Sequence, residues 1–158
     1  MTREELKKKI ISFGIEISFP EEEEEGEKTQ FLTLSVNPSK LHELAKQLKE
    51  DSDTSFDYMF CQTGIDWEEN LEVVYHLRST NHGHEVVVRT QITERESPTV
   101  DSVYDLWKTA DFHEREIFDL LGIRFNNHPD LRRIFLDDDW EGYPLRKDYV
   151  DEINIVDL

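Results

Sequence analysis

The sequence predicts an α+β fold: a two-layer sandwich with helices on one face of a mixed, mostly antiparallel sheet of about five strands, closed by an irregular C-terminal arm. Three observations lead there. Short runs alternate apolar and polar residues at strand spacing, other runs repeat apolar residues at helical spacing, and the last third mixes charge, Gly, Pro and aromatic residues more densely than either pattern needs. Consecutive strands joined by turn chemistry favour antiparallel pairing, and the helices then gather as one layer.

The chain opens as a helix. Thr2 and Glu5 stand as a capping box, Leu6 and Ile10 share a face, and Gly14 ends the pattern. Ile15, Ile17 and Phe19 alternate with Glu16 and Ser18 as a half-buried strand that Pro20 stops. The acidic run at 21–25, followed by Gly26, repels itself into a solvated connection. Phe31, Leu32, Leu34 and Val36 make the returning strand. Asn37 caps and Pro38 starts a second helix, in which Leu41, Leu44, Ala45 and Leu48 form a core stripe. Strands follow at 56–61, 71–77 and 85–92, the last two joined by a hairpin loop, Ser79-Thr80-Asn81-His82-Gly83. His76, His82 and His84 cluster about that hairpin without an orienting carboxylate at obvious spacing, so they read as ordinary exposed histidines rather than metal ligands.

Ser97-Pro98-Thr99 reads as the start of a third helix, with Val100, Val103, Leu106, Trp107 and Ala110 on one side. Asp111 and Phe112 then join it to a fourth. There Ile117, Leu120 and Leu121 share a face, Gly122 is the stop, and Glu114, Glu116 and Asp119 lie early, where the positive end of the helix dipole favours carboxylates. The expected organisation is one domain over 1–158, with an α+β core at 1–112, the helix and arm at 113–150, and a short tail at 151–158.

Composition narrows the function classes. The 158 residues carry 36 acidic and 18 basic side chains, a net charge of −18. That balance opposes binding to nucleic acid and to anionic lipid, so any membrane association is expected through other subunits. No apolar run reaches bilayer length and no basic, apolar leader opens the chain, which reads as soluble and unexported. The single cysteine, Cys61, makes no internal disulfide and suits a reducing compartment; one thiolate is too few for an iron-sulfur cluster held by this chain alone. Glycine-rich phosphate loops and nucleophile contexts are missing, and His113-Glu114 lacks the second His of a zinc helix, position 117 being Ile. Glu114 and Glu116 diverge on a helix, and Asp137-Asp138-Asp139 lacks calcium-loop spacing. No catalytic, cofactor-binding or metal-binding residue is assigned.

The last third carries the sharpest pattern. Asn127-His128-Pro129-Asp130 is turn chemistry. Arg132 and Arg133 sit inside the apolar run at 131–136 and point to opposite sides of an extended chain, so one of them faces buried protein or a partner surface. Such an arginine needs a carboxylate, and Glu114, Glu116, Asp119 and Asp130 are nearest in sequence. Trp140, Tyr143 and Tyr149 beside Arg146 and Lys147 have the composition of an interface core, or of an internal network that pins the arm to its own sheet. The two readings are compatible.

Taken together, Glu114-Arg115-Glu116, Asp119, Gly122-Ile123, His128-Pro129-Asp130-Leu131-Arg132-Arg133-Ile134 and Pro144-Leu145-Arg146-Lys147-Asp148 resemble the signature of the 30 kDa subunit of respiratory complex I. In bacteria that is the C-type subunit of NADH-quinone oxidoreductase. Phe112 stands where the family has Trp, and Tyr143 where His is common; both keep a large side chain. The resemblance implies a non-redox docking subunit of the peripheral arm, on the cytoplasmic side of the plasma membrane. Its implied partners are the hydrogenase-large-chain-like D-type subunit and the iron-sulfur B-type subunit. No cofactor is expected on this chain, whereas the whole complex is expected to use FMN, iron-sulfur clusters, NADH and quinone, and to drive proton export. The signature residues, with Trp140, are the expected partner interface. Arg132, Arg133, Arg146 and Lys147 are expected either to dock on partners or to order the arm that does, and the short tail after Tyr149 leaves little chain for wrapping neighbours. Two alternatives remain: the equivalent subunit of a related membrane-bound hydrogenase or other quinone-reducing dehydrogenase, and a free-standing acidic protein-binding module.

Overall fold

The computed structural model describes residues 1–20 and 31–151, so the acidic connection and the end of the tail lie outside the described residues. Helix α1 (Arg3–Ile11) starts from the expected box: Thr2 Oγ1 accepts the Glu5 N–H at 3.3 Å, and Glu5 Oε2 accepts the Thr2 N–H at 2.8 Å. Strand β1 is only Ile17–Ser18, and it pairs antiparallel with β2 (Leu32–Val36). Asn37 caps a 3-10 turn over Pro38–Lys40, after which α2 (Leu41–Glu50) buries Leu41, Leu44, Ala45 and Leu48. Each such leucine contributes roughly 2 kcal/mol by leaving water.

Strands β3 (Tyr58–Asp66), β4 (Leu71–Arg78) and β5 (Glu85–Ile92) pair antiparallel in turn, and β5 lies parallel to β2. The sheet order is β1-β2-β5-β4-β3, a mixed and mostly antiparallel sheet as predicted. β3 runs past Cys61 to Asp66 because Gln62, Gly64 and Asp66 face the protein interior or the arm, a pattern that apolar alternation alone does not reveal. The loop after Ser79 closes as expected, with the Ser79 N–H bonded to His84 O at 3.0 Å.

The predicted helix from Ser97 is a correction. Thr99–Asp101 is instead strand β6, parallel to β7 (Arg124–Asn126), in a two-stranded sheet. Val100, Val103, Trp107 and Ala110 are buried as the spacing suggests, but Val103 and Trp107 are carried by turns rather than by a helix. Tertiary hydrogen bonds account for this: Ser102 Oγ accepts the Tyr104 N–H at 3.1 Å, and the Val103 N–H goes to the Glu114 carboxylate at 2.9 Å. A single helix, α3 (Ala110–Leu121), then replaces the predicted joint at Asp111 and Phe112.

The core joins Leu71, Val73, Tyr75 and Leu77 of β4, and Val86, Val88 and Ile92 of β5, to apolar residues of all three helices. α3 crosses β3 at Gly64. A Cβ there would run into Leu121 Cδ1 and stand 3.0 Å from Ile117 Cγ2, so the close approach of helix and strand depends on glycine.

Candidate functional site

The signature residues are arranged by α3. Because the helix begins at Ala110, Glu114 and Asp119 occupy its interior turns, not the first turn expected from the sequence, and the dipole does not account for them. Burial does. Glu114 is fully buried, with Oε2 2.5 Å from Ser102 Oγ and Oε1 accepting the Val103 N–H. Desolvation pushes its carboxyl up to about 7, against the lowering effect of those donors. The Gln62 amide, opposite Tyr75 across the β3–β4 pairing, also lowers it, although neither amide atom makes a hydrogen bond of ordinary geometry.

Asp119, also fully buried, braces the arm. Its Oδ2 accepts three consecutive backbone N–H groups, from Ile134 at 3.0 Å, Phe135 at 2.7 Å and Leu136 at 3.1 Å. Its Oδ1 takes Arg133 Nη1 at 2.9 Å, and Arg133 Nη2 reaches on to the carbonyls of Trp140 and Gly142 at 3.1 and 3.0 Å. Burial works to raise this carboxyl's pKa, but the donors from Phe135, Arg133, Ile134 and Leu136 together hold it below its ordinary value. One carboxylate thus replaces the strand pairing that the segment 131–136 lacks.

The end of the arm is held by Tyr143, which lies over Gly122. Gly122 ends α3 at φ +74°, and a Cβ on it would stand 2.5 Å from the Tyr143 ring. Arg133 and Arg146 both place their guanidinium groups near that ring, 5.2 and 5.1 Å from its centroid. Arg146 also donates to Leu121 O at 2.6 Å and Arg95 O at 2.9 Å. Beyond it, Asp66 takes a bidentate pair of bonds from Arg95 and accepts the Lys147 N–H at 2.9 Å. The Arg95 guanidinium holds the Asp66 carboxyl well below the usual carboxylate range, despite its burial. Arg95 also reaches Asp148 at 3.2 Å.

The remaining signature residues complete the brace or lie on its surface. His128 Nδ1 accepts the Asp130 N–H at 3.0 Å, which leaves Nε2 to donate to Asp111 O at 3.2 Å and pins the turn to the start of α3. Arg115 Nε donates to Arg132 O at 3.3 Å, while the Arg132 side chain points to solvent and pairs with Asp130 at 2.9 Å. So one of the two adjacent arginines does face buried protein, and it is Arg133. Lys147 Nζ pairs with Glu68 at 3.3 Å. Pro129 is exposed in its turn, Trp140 and Pro144 are half-buried, and the Leu145 N–H after Pro144 bonds Leu120 O at 3.0 Å. Glu116 is exposed on α3.

Asp66, Arg95 and Ser102 escape a reading of the sequence, and no local spacing marks them: Lys147 reaches Asp66 across 81 positions. A second unpredicted cluster joins Arg89 of β5 and Trp67 Nε1 to Glu72 of β4. The histidines of the hairpin bond backbone, His82 to Ser52 O and His84 to Thr54 O, with their rings stacked. Among the described residues no three His, Cys, Asp or Glu side chains gather to hold a metal ion, and no helix is long and apolar enough to cross a membrane.

These features define an α+β domain whose C-terminal arm is braced by its own signature charges. The model of the family described as respiratory-chain NADH dehydrogenase, 30 Kd subunit, matches residues 34–153. The chain belongs to that family. The fused C/D-type subunit of NADH-quinone oxidoreductase from Phocaeicola vulgatus is 51% identical over 122 residues, which are 77% of this chain but 23% of that one. The C-type subunit of the same enzyme from Roseiflexus castenholzii is 40% identical over 120 residues, 74% of this chain and 68% of that one. The chain therefore spans less than a quarter of the length of the fused relatives it matches and about two thirds of the Roseiflexus protein. A chain in the structure of the membrane-bound sulfane sulfur reductase, an archaeal respiratory membrane complex, superposes with a TM-score of 0.77 at 26% identity, covering 97% of this chain and 88% of that one.

Proposed function

We propose that this chain is a non-redox docking subunit in the peripheral arm of an NADH-quinone oxidoreductase, on the cytoplasmic side of the membrane. It binds no cofactor itself; the FMN, iron-sulfur clusters, NADH and quinone belong to the assembly, which couples electron transfer to proton export. Its neighbours are the D-type subunit, named jointly with the C type in the fused relatives, and the iron-sulfur B-type subunit. The reading is carried by one observation: the family's signature residues fold as α3 and a braced arm, and Arg132, Arg133, Arg146 and Lys147 all find partners within the chain. Its role is then to present a fixed shape, and the cations order the arm that docks. The signature residues named from the sequence serve the interface mainly in this indirect way.

Pull-down of the tagged chain from native membrane extract tests the reading, with redox subunits expected to copurify. Arg146→Glu should cut incorporation severalfold, because a carboxylate facing Leu121 O and Arg95 O repels both carbonyls and releases the arm. Unchanged incorporation and quinone reductase activity would remove the arm from the assembly role. A second reading, the equivalent subunit of another respiratory membrane complex, is favoured by the fold likeness to the sulfane sulfur reductase chain. The copurifying subunits separate the two, since an NADH-binding flavoprotein belongs only to the first.

A further inference from the structure

Among the charged signature residues, Glu116 alone has no hydrogen bond or ion pair to another side chain or loop among the described residues. Glu114, Arg115, Asp119, Asp130, Arg132, Arg133, Arg146, Lys147 and Asp148 each find a partner within the chain. Glu116 is exposed, and its neighbours along the helix are apolar. Phe112, Glu116 and Leu120 follow one another at four-residue intervals on α3, a single stripe about 12 Å long. Phe112 is 66% exposed and is stacked under Arg115, whose guanidinium lies 5.4 Å from the ring. At the other end Leu145, 60% exposed, is fixed beside Leu120 by its backbone bond to Leu120 O. Between them Glu116 borders a small cleft of about 40 Å³ that α3 shares with Thr63 and Gly64 of β3.

Single exposed apolar residues are ordinary. Here two large ones are held in place at the ends of a stripe, with an unpaired carboxylate between them, on a helix whose other face is core. A carboxylate carried into an apolar interface is tolerated when a cation from the other side meets it. The net charge of −18 favours the approach of basic partners to the chain as a whole, and Glu116 is the carboxylate this stripe offers them.

We propose that the Phe112–Glu116–Leu120 stripe with Leu145 is the docking surface for a segment of a neighbouring subunit that carries a Lys or Arg flanked by apolar residues, and that Glu116 receives that cation. This rests on the proposed role as a docking subunit and names the contact through which it acts. The surface is thus the acidic stripe on α3, with the cationic arm behind it as the brace.

The test uses the full tagged chain, expressed in cells lacking the parent copy, as parent, Glu116→Lys and Glu116→Gln. Redox subunits recovered per chain from membrane extract should fall about tenfold or more for Glu116→Lys and about threefold for Glu116→Gln. Thermal midpoints of the isolated variants should stay within about 2 °C of the parent, because the side chain holds nothing inside the chain. A photo-crosslinker placed at Leu145 should label a partner peptide containing Lys or Arg. Full recovery with Glu116→Lys, or a crosslink to an acidic peptide, overturns the proposal. If Glu116→Lys destabilises the isolated chain, the Leu145 crosslink decides alone. Failure of the parent itself to recover redox subunits defeats the docking role as a whole, whereas equal recovery by parent and Glu116→Lys defeats only this contact.

Discussion

Glu114 and Asp119 are both fully buried on α3, yet their carboxyls shift in opposite directions. The difference lies in the donors. Asp119 receives a guanidinium and three backbone N–H groups, while Glu114 faces one hydroxyl and one N–H, with His128 Nε2 4.0 Å away. Raised to about 7 from an ordinary 4.5, Glu114 holds a proton in the folded chain that the unfolded chain has already lost. Its contribution is therefore complete below about pH 4.5 and disappears as pH rises through about 7, on the order of 3 kcal/mol in all. His76 and His84, whose pKa values burial lowers, act the other way, so the useful comparison is between parent and variant. Glu114→Gln should flatten the decline of unfolding free energy between about pH 5 and pH 8, measured by denaturant titration; parallel curves for the two proteins would refute the assignment. The presence of a glutamate is visible in the sequence. Its burial is not, because it depends on Ser102, which belongs to a turn that the apolar spacing disguises as helix.

The arm at 131–149 is an element without secondary structure of its own, and Asp119 stands in for the missing ladder. Asp119→Ala leaves three N–H groups without their acceptor and the Arg133 guanidinium with backbone carbonyls but no counter-charge, a loss of about 3–5 kcal/mol. Hydrogen exchange should show protection lost through residues 133–149 while β4 and β5 keep theirs; an intact arm in this variant would contradict the bracing role. Mild acid should not imitate the mutation. Asp66 and Asp119 have depressed pKa values, so their stabilisation is present above the ordinary carboxylate range and is lost only as pH falls through the depressed values. The division of the arginine pair between inside and outside follows from the sequence, since opposite sides of a chain can be inferred from the backbone alone. Which carboxylate Arg133 finds does not, because four acidic residues lie within reach and only the course of α3 selects among them.

For the molecule as a whole, a net charge of −18 on 158 residues means self-repulsion that salt screens. The thermal midpoint should rise by a few degrees between about 0.01 M and about 0.3 M salt, read by scanning calorimetry; a fall would mean that the internal ion pairs outweigh the surface charge. The α+β class, the helices at α1 and α2, the hairpin of β4 and β5 and the stop at Gly122 are all legible in the sequence, as is the family. These rest on periodicity, caps and turn residues, which act over a few positions and survive in a linear reading. The strand at 99–101, the reach of β3 to Asp66, the Arg95 brace and the lack of a partner for Glu116 among the described residues are decided only by the tertiary structure. Each depends on groups brought together from distant positions, 53 apart for Arg95 and Asp148, and the pairing of charges is settled by where the folded backbone puts them.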